Sequence, residues 1–142
     1  MIIRRMTEED LEQVAELEKA IFSTPWSKAA FSDSLQRPYS HFFVAVADEI
    51  AGYCGVHNLG GDGEITNVAV APKYRGQGIA RKMLDFAMTE TKEAGVQAFT
   101  LEVRISNTPA IKLYEKLGFT SQGVRKNFYE NPMEDALIMW KY

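Results

Sequence analysis

Two glycines that lie two positions apart give the first sign of chemistry in this sequence. Gly76 and Gly78, in the segment RGQGIA, stand between a run of β-branched residues and a segment with helical periodicity. Glycine weakens a helix, so its use at a helix start indicates a tight turn or a ligand that approaches bare backbone. The free N–H groups of a first helical turn favour anions such as pyrophosphate. The glycines alone leave both explanations open.

The elements around these glycines follow the order β-α-α-β-β-β-α-β-α-β-β. A meander that passes into β-α-β units predicts an α/β (α+β) fold with a mixed central sheet and helices on its faces. Strands are predicted from β-rich runs at about residues 2–6, 41–47, 50–59, 64–70, 96–104, 119–129 and 135–142. Helices are predicted from apolar periodicity and caps at about residues 8–22, 28–36, 76–94 and 107–118.

Length and composition predict one domain over residues 1–142. The chain has 142 residues, of which 46% are hydrophobic, and this is enough for a real core. A net charge of −3 argues against nucleic-acid binding through a broad basic face and fits a positively charged partner. No segment is apolar enough to cross a bilayer, and the single Cys54 fits a reducing compartment. We therefore expect a cytoplasmic protein with no membrane partner.

The segment NVAVAPKYRGQGIARKML resembles the acyl-CoA motif of the Gcn5-related N-acetyltransferases, the GNAT family. The motif has the pattern Arg/Gln-x-x-Gly-x-Gly/Ala, and the element order and the segment NTPAIKLYEKLGF are also similar to this family. The resemblance implies the GNAT fold, acetyl-CoA as cosubstrate, and a gap between two splayed parallel strands that holds the thioester. The cofactor-binding residues that it implies are Val68, Ala69, Val70, Arg75, Gly76, Gln77, Gly78, Ile79, Ala80, Arg81 and Asn107.

Three further segments narrow the resemblance. LEVRISNTPAIKLYEKLGF, YENPMEDALIMWK and STPWSKAAF are similar to the bacterial members that acetylate the N-terminal alanine of a small-subunit ribosomal protein. The resemblance implies Glu102 as general base, Tyr114 as general acid and direct transfer in a ternary complex. These roles suit the chemistry, because an α-amino group with a pKa of roughly 7.7–8.0 must lose a proton before it attacks. The departing CoA thiolate must gain a proton.

Each of these residues also has a simpler explanation. Glu102 is one charged position where a strand emerges, and Tyr114 lies in an apolar helical stripe and could simply pack in the core. Asn107 is a good helix cap in its own right. His41 and His57 have no partner at metal-ligand spacing, so no metal site is assigned.

Two alternatives to N-terminal acetylation stay open. The first is a GNAT acetyltransferase for a small-molecule amine or a lysine side chain. The second is an acyl-CoA-binding module without catalysis, which would need neither Glu102 nor Tyr114. An acidic protein suits a basic ribosomal-protein N-terminus, and Glu130, Glu134 and Asp135 are the acidic candidates near the acceptor groove.

Overall fold

The structure, a computed structural model, describes all 142 residues. Its strands and helices follow one another in the order predicted from the sequence. The strands are β1 (Ile2–Arg5), β2 (Ser40–Val46), β3 (Ile50–Leu59), β4 (Asp62–Val70), β5 (Ala98–Arg104), β6 (Thr120–Tyr129) and β7 (Glu134–Lys141). The helices are α1 (Leu11–Ile21), α2 (Lys28–Leu35), α3 (Ile79–Glu93) and α4 (Thr108–Lys116). None of the helices is both long and apolar enough to cross a membrane.

All seven strands form one sheet in the order β1-β2-β3-β4-β5-β7-β6. Every neighbouring pair is antiparallel except β4 and β5, which run parallel. A parallel pair needs a crossover connection, and α3 provides it while packing against β2, β3 and β4. The predicted mixed sheet with helices on its faces is therefore confirmed, as is the pairing of the last two strands.

Hydrophobic clusters cover both faces of the sheet. The larger cluster joins α3 and α4 to the strands and includes Met83, Leu84 and Tyr114. The smaller cluster lies under α1 and α2 and includes Leu11 and Phe31. The smaller cluster contains no residue of β5, β6 or β7, so no helix covers these three strands on that face of the sheet. Burial of these apolar side chains fixes the helix ends relative to the strand ends that form the site.

Helix α3 begins later than the sequence predicted. We expected the helix from about Gly76, but its first residue is Ile79. Gly76 and Gly78 have φ angles of +77° and +74°, a left-handed conformation that glycine adopts without a steric penalty from Cβ. The glycines therefore form the turn that precedes the helix. The free N–H groups of the first helical turn belong to residues 79–81.

Candidate active site

The parallel strands β4 and β5 pair over only a short stretch and then separate. Residues 62–64 pair with residues 98–100, and no pair follows, although β4 continues to Val70 and β5 to Arg104. On its other side β4 remains paired with β3, so its unpaired backbone edge faces the gap. A crevice at the carboxyl ends of sheet strands is a common ligand site in α/β proteins.

The gap opens into a cleft of about 1300 Å³. Glu102 and Tyr114 both line this cleft, and so does every predicted cofactor-binding residue except Gln77, whose side chain is exposed. Residues from β4, the glycine turn, α3, β5 and α4 thus meet at one cavity. No group of three or more His, Cys, Asp or Glu residues that could hold a metal ion occurs in the protein.

One end of the cleft is built from backbone. A Cβ atom placed on Gly76 or Gly78 would meet no heavy atom within 4 Å, so the space beside both glycines is open. The turn leads into the free N–H groups of residues 79–81, and Arg75 and Arg81 add two positively charged residues to the cleft lining. This arrangement fits a pyrophosphate, since an anion gains both hydrogen bonds and the favourable end of the helix dipole.

Two predicted cofactor residues also have structural contacts. Arg75 donates from Nε to the carbonyl oxygen of Val70 at 3.0 Å, which ties the glycine turn to the end of β4. Asn107 accepts the N–H of Ala110 on its side-chain oxygen at 3.3 Å and so caps α4. The cap explanation for Asn107 is confirmed, and its position in the cleft wall leaves a ligand contact open as well.

Glu102 points to the face of β5 opposite the larger hydrophobic cluster. Its strand neighbours Leu101 and Val103 are buried in that cluster, and alternation along the strand places Glu102 on the other side. The Nε atom of Arg125 lies 3.4 Å from Oε2 without the alignment of a hydrogen bond, so this buried oxygen has no hydrogen-bond partner. Burial raises the pKa of Glu102, the Arg125 charge opposes the rise, and the Glu64 carboxylate adds to it.

Tyr114 combines core packing with a place in the cleft. It is 7% exposed, and its ring packs against Phe119 with centroids 5.9 Å apart. Its hydroxyl makes no hydrogen bond within the protein and is therefore available to a ligand. Burial raises the pKa of Tyr114 well above its ordinary value, with smaller contributions from Tyr129 and Cys54. The expected apolar packing is confirmed.

The other end of the cleft is lined by acidic and aromatic side chains. Glu18, Glu64 and Glu130 join Glu102 there, and Trp26 forms part of the wall. Of the three acidic candidates, Glu134 does not line the cleft but pairs with Arg104, and Asp135 accepts the N–H of Asn127. An acidic end of this kind suits an acceptor that carries positive charge.

Several cleft residues were missed at the level of sequence, among them Tyr129, Glu18, Glu64 and Asn67. Tyr129 ends the edge strand β6, and burial, followed by the Glu102 charge, raises its pKa to about 12. Nothing in an exposed edge strand distinguishes that tyrosine from its neighbours. Glu18 could have been found, because it lies between Val14 and Ile21 at helical spacing, on the apolar side of α1. A carboxylate within an apolar stripe is a signal in itself.

The comparison with known protein families agrees with this geometry. The model of the acetyltransferase (GNAT) family matches residues 11–119, which include β4, the glycine turn, α3, β5 and α4. The chain belongs to the GNAT acetyltransferase family. The resemblance seen in the sequence and the expected fold are both confirmed.

Several relatives of this GNAT chain are N-acetyltransferases by name. A Bacillus subtilis protein provisionally named a [ribosomal protein bS18]-alanine N-acetyltransferase is 43% identical over 97% of this chain and 93% of its own length. The Haemophilus ducreyi [ribosomal protein bS18]-alanine N-acetyltransferase is 33% identical over 99% of both chains. The crystal structure of the Escherichia coli ribosomal-protein-S18-alanine N-acetyltransferase superposes with a TM-score of 0.88, at 31% identity over 99% of this chain and 92% of that one.

Proposed function

We propose that this GNAT protein transfers acetyl from acetyl-CoA to the N-terminal alanine of a small-subunit ribosomal protein in the cytoplasm. The observation that carries the proposal is the single cleft that joins a backbone-built anion site to Glu102 across the β4–β5 gap. Relatives at 33–43% identity over nearly the whole chain, which are named for this reaction, support the choice of acceptor.

The backbone end of the cleft would hold the cosubstrate. The N–H groups of residues 79–81 and the open space beside Gly76 and Gly78 suit its pyrophosphate. The unpaired edge of β4 around Val68 and Val70 suits the pantetheine arm, and an N–H group there could polarise the thioester carbonyl. When bound, acetyl-CoA supplies an activated acetyl group for an incoming amine.

Glu102 would act as the general base. An α-amino group is mostly protonated near neutral pH, with a pKa of roughly 7.7–8.0. A carboxylate takes this proton more readily when its own pKa lies closer to the operating pH, and the pKa of Glu102 is raised by burial. Its unpaired Oε2 is an acceptor without a partner in the protein, which suits an ammonium group or an intervening water.

Tyr114 would assist departure of the sulfur. Its raised pKa keeps the phenol protonated, so the hydroxyl is a donor at neutral pH. A thiol has a pKa of about 8.5, which is lower than that of the phenol, so the phenol does not readily give its proton to the thiolate. The tyrosine therefore stabilises the departing thiolate chiefly by donating a hydrogen bond. Glu102 would take one proton from the α-ammonium group before attack and pass it to solvent. The new C–N bond would then form as the C–S bond breaks, with the second amine proton going to Glu102 and the sulfur leaving as a thiolate hydrogen-bonded to Tyr114.

Direct transfer in a ternary complex is favoured by the position of the only thiol. Cys54 is fully buried in the larger hydrophobic cluster, does not line the cleft, and has its pKa raised to about 12. A thiolate at that position is neither accessible nor formed near neutral pH. We therefore propose no acetyl-cysteine intermediate.

A peptide acetylation assay tests the function. The purified protein is incubated with acetyl-CoA and a basic peptide that begins with alanine and contains internal lysines, and the modified atom is located by mass spectrometry. We expect acetylation of the α-amine alone. Modification of lysines or of a polyamine, with the α-amine untouched, would favour the alternative acceptors. Tight CoA binding without turnover of any amine would favour the non-catalytic module.

A further inference from the structure

Glu18 is a buried acid in the cleft that the proposed reaction does not use. It is 2% exposed, lies on α1 and forms no ion pair with a basic residue. A buried carboxylate is unfavourable unless hydrogen bonds replace its hydration. Neutral groups supply them here: the Tyr53 hydroxyl donates at 2.8 Å, the Trp26 backbone N–H at 3.0 Å, and the Asn67 side-chain amide at 3.3 Å.

The three donors come from three separate elements, and two of them, Trp26 and Asn67, line the cleft. Tyr53 belongs to β3, and Trp26 belongs to the loop between α1 and α2 at the acceptor end. Asn67 belongs to β4, the strand whose free edge faces the gap. One carboxylate therefore connects the acceptor wall with the strand proposed to bind the thioester.

Asn67 lies at an irregularity in β4. Tyr53 pairs with Ala69 and Gly55 pairs with Thr66, so two residues of β4 lie opposite one residue of β3. This is a β-bulge, which re-aims the backbone and is frequent beside active sites. The φ angle of Asn67 is +32°, a conformation that asparagine tolerates better than most residues but still adopts rarely.

The hydrogen bond from Asn67 to Glu18 leaves another polar atom of Asn67 without a partner. A carboxylate only accepts hydrogen bonds, so the Asn67 amide must turn its NH2 group toward Glu18. The side-chain oxygen of Asn67 is then buried without a partner. An orphaned acceptor is unfavourable, so the interaction fixes the position of the bulge rather than satisfying the amide.

We propose that Glu18 is a positioning residue for acetyl transfer. It holds the β4 bulge and the part of the cleft wall formed by Trp26 in one fixed arrangement. The inference rests on the proposed function. Val68 is the second residue of the bulge and Val70 follows two positions later, so movement of Asn67 displaces the backbone that faces the thioester. A displacement of about 1 Å at such a position costs about 100-fold in rate in well-studied enzymes.

Steady-state kinetics of Glu18→Gln, Asn67→Gly and the double variant, with the alanine-led peptide, test this proposal. Glutamine has one acceptor oxygen and cannot serve all three donors, whereas glycine permits the positive φ but removes the hydrogen bond to Glu18. We expect kcat to fall about tenfold or more in each single variant. The double variant should lose much less than the product of the two, because Glu18 acts through Asn67. The dissociation constant for CoA should change much less than kcat, since residues 76–81, which are proposed to hold the pyrophosphate, are untouched.

Glu16→Gln, an exposed residue on the same helix, is the matched control and should leave kcat unchanged. The stoichiometry of CoA binding by calorimetry counts folded sites, so kcat is expressed per folded site. If Glu18→Gln does not fold, Tyr53→Phe and Asn67→Gly carry the test, and an unchanged kcat in both would overturn the proposal.

Two other results would also contradict it. One is a Glu18→Gln variant with a kcat within twofold of the wild type. The other is full multiplicativity of the two single losses. A wild type that acetylates no amine would instead contradict the proposed function, and this inference with it.

Discussion

The two ends of the cleft are built from different parts of the polypeptide. At the cosubstrate end, consecutive residues 76–81 offer backbone N–H groups beside two glycines with left-handed φ angles. At the acceptor end, carboxylates from α1, β4, β5 and the β6–β7 loop are brought together by the sheet: Glu18, Glu64, Glu102 and Glu130. The first end is local in sequence, and the second exists only in the folded chain.

This difference indicates how each end should respond to substitution. Binding by backbone is insensitive to most side chains but sensitive to an added Cβ, because the ligand must approach the main chain. Proton transfer depends on one side-chain atom and on the charges around it. Changes at the acceptor end should therefore lower kcat, and changes at the glycine turn should weaken cosubstrate binding.

The largest effect is expected from Glu102→Gln. Loss of the base should lower kcat/KM by about 100-fold or more, with CoA affinity unchanged, because the amide cannot take the proton of the α-ammonium group. Initial rates with the alanine-led peptide measure this, and Glu115→Gln, an exposed residue on α4, is the control. Full activity of Glu102→Gln would move the base to another residue.

A smaller loss is expected from Tyr114→Phe. The ring packing against Phe119 is retained and the hydroxyl makes no hydrogen bond within the protein, so the melting temperature should change little. Without the donor near the leaving sulfur, kcat should fall by about 10-fold to 100-fold. Thermal unfolding and single-turnover rates separate the two quantities. A fall in rate that is fully accounted for by a lower fraction of folded protein would assign Tyr114 to packing alone.

At the other end, Gly78→Ala tests the backbone-built site. Its φ of +74° is unfavourable for alanine by about 1–2 kcal/mol, and the new methyl group would enter the open space beside the turn. We expect the dissociation constant for CoA to rise about tenfold, which corresponds to about 1.4 kcal/mol, by calorimetry. Gly123→Ala is the control, since Gly123 also faces open space but has no left-handed φ. Unaltered CoA affinity in Gly78→Ala would place the phosphates elsewhere.

The sequence predicted the cosubstrate end better than the acceptor end, and the reason is physical. The element order follows from local periodicity and the turn before α3 follows from the glycine pair, although left-handed glycines delay the helix to Ile79. The separation of β4 and β5 was expected only through family resemblance, because pairing between distant strands leaves no local pattern.

The acceptor end depends on contacts between residues far apart in the chain. Glu18 meets Tyr53 and Asn67, which lie 35 and 49 positions away. Tyr129 enters the cleft because Arg104 packs on its ring at 4.6 Å and bonds to the loop that follows it. Glu102 and Glu130 were expected there from family resemblance and charge, and the place of Glu18 on the apolar stripe of α1 is a local signal that could have been used.

The smallest expected effect comes from Arg125→Gln, and it examines the electrostatics of the acceptor end. Arg125 favours the charged form of Glu102, so its removal should raise the pKa of Glu102 further. The acidic limb of the kcat/KM profile, which reports the base in the free enzyme, should then move to higher pH. Because Arg125 is 58% exposed, the rate near neutral pH should change by less than about threefold.

Salt dependence distinguishes this charge effect from a change in structure. Screening at about 1 M salt, where the Debye length is about 3 Å, should move the wild-type limb in the same direction. The Arg125→Gln limb should respond less, because only the smaller Glu64 contribution is then left to screen. Lys126→Gln, the adjacent β6 residue with no ion pair, should keep the wild-type profile at both salt concentrations. A limb that moves to lower pH in Arg125→Gln would mean that the titrating base is not the carboxylate beside Arg125.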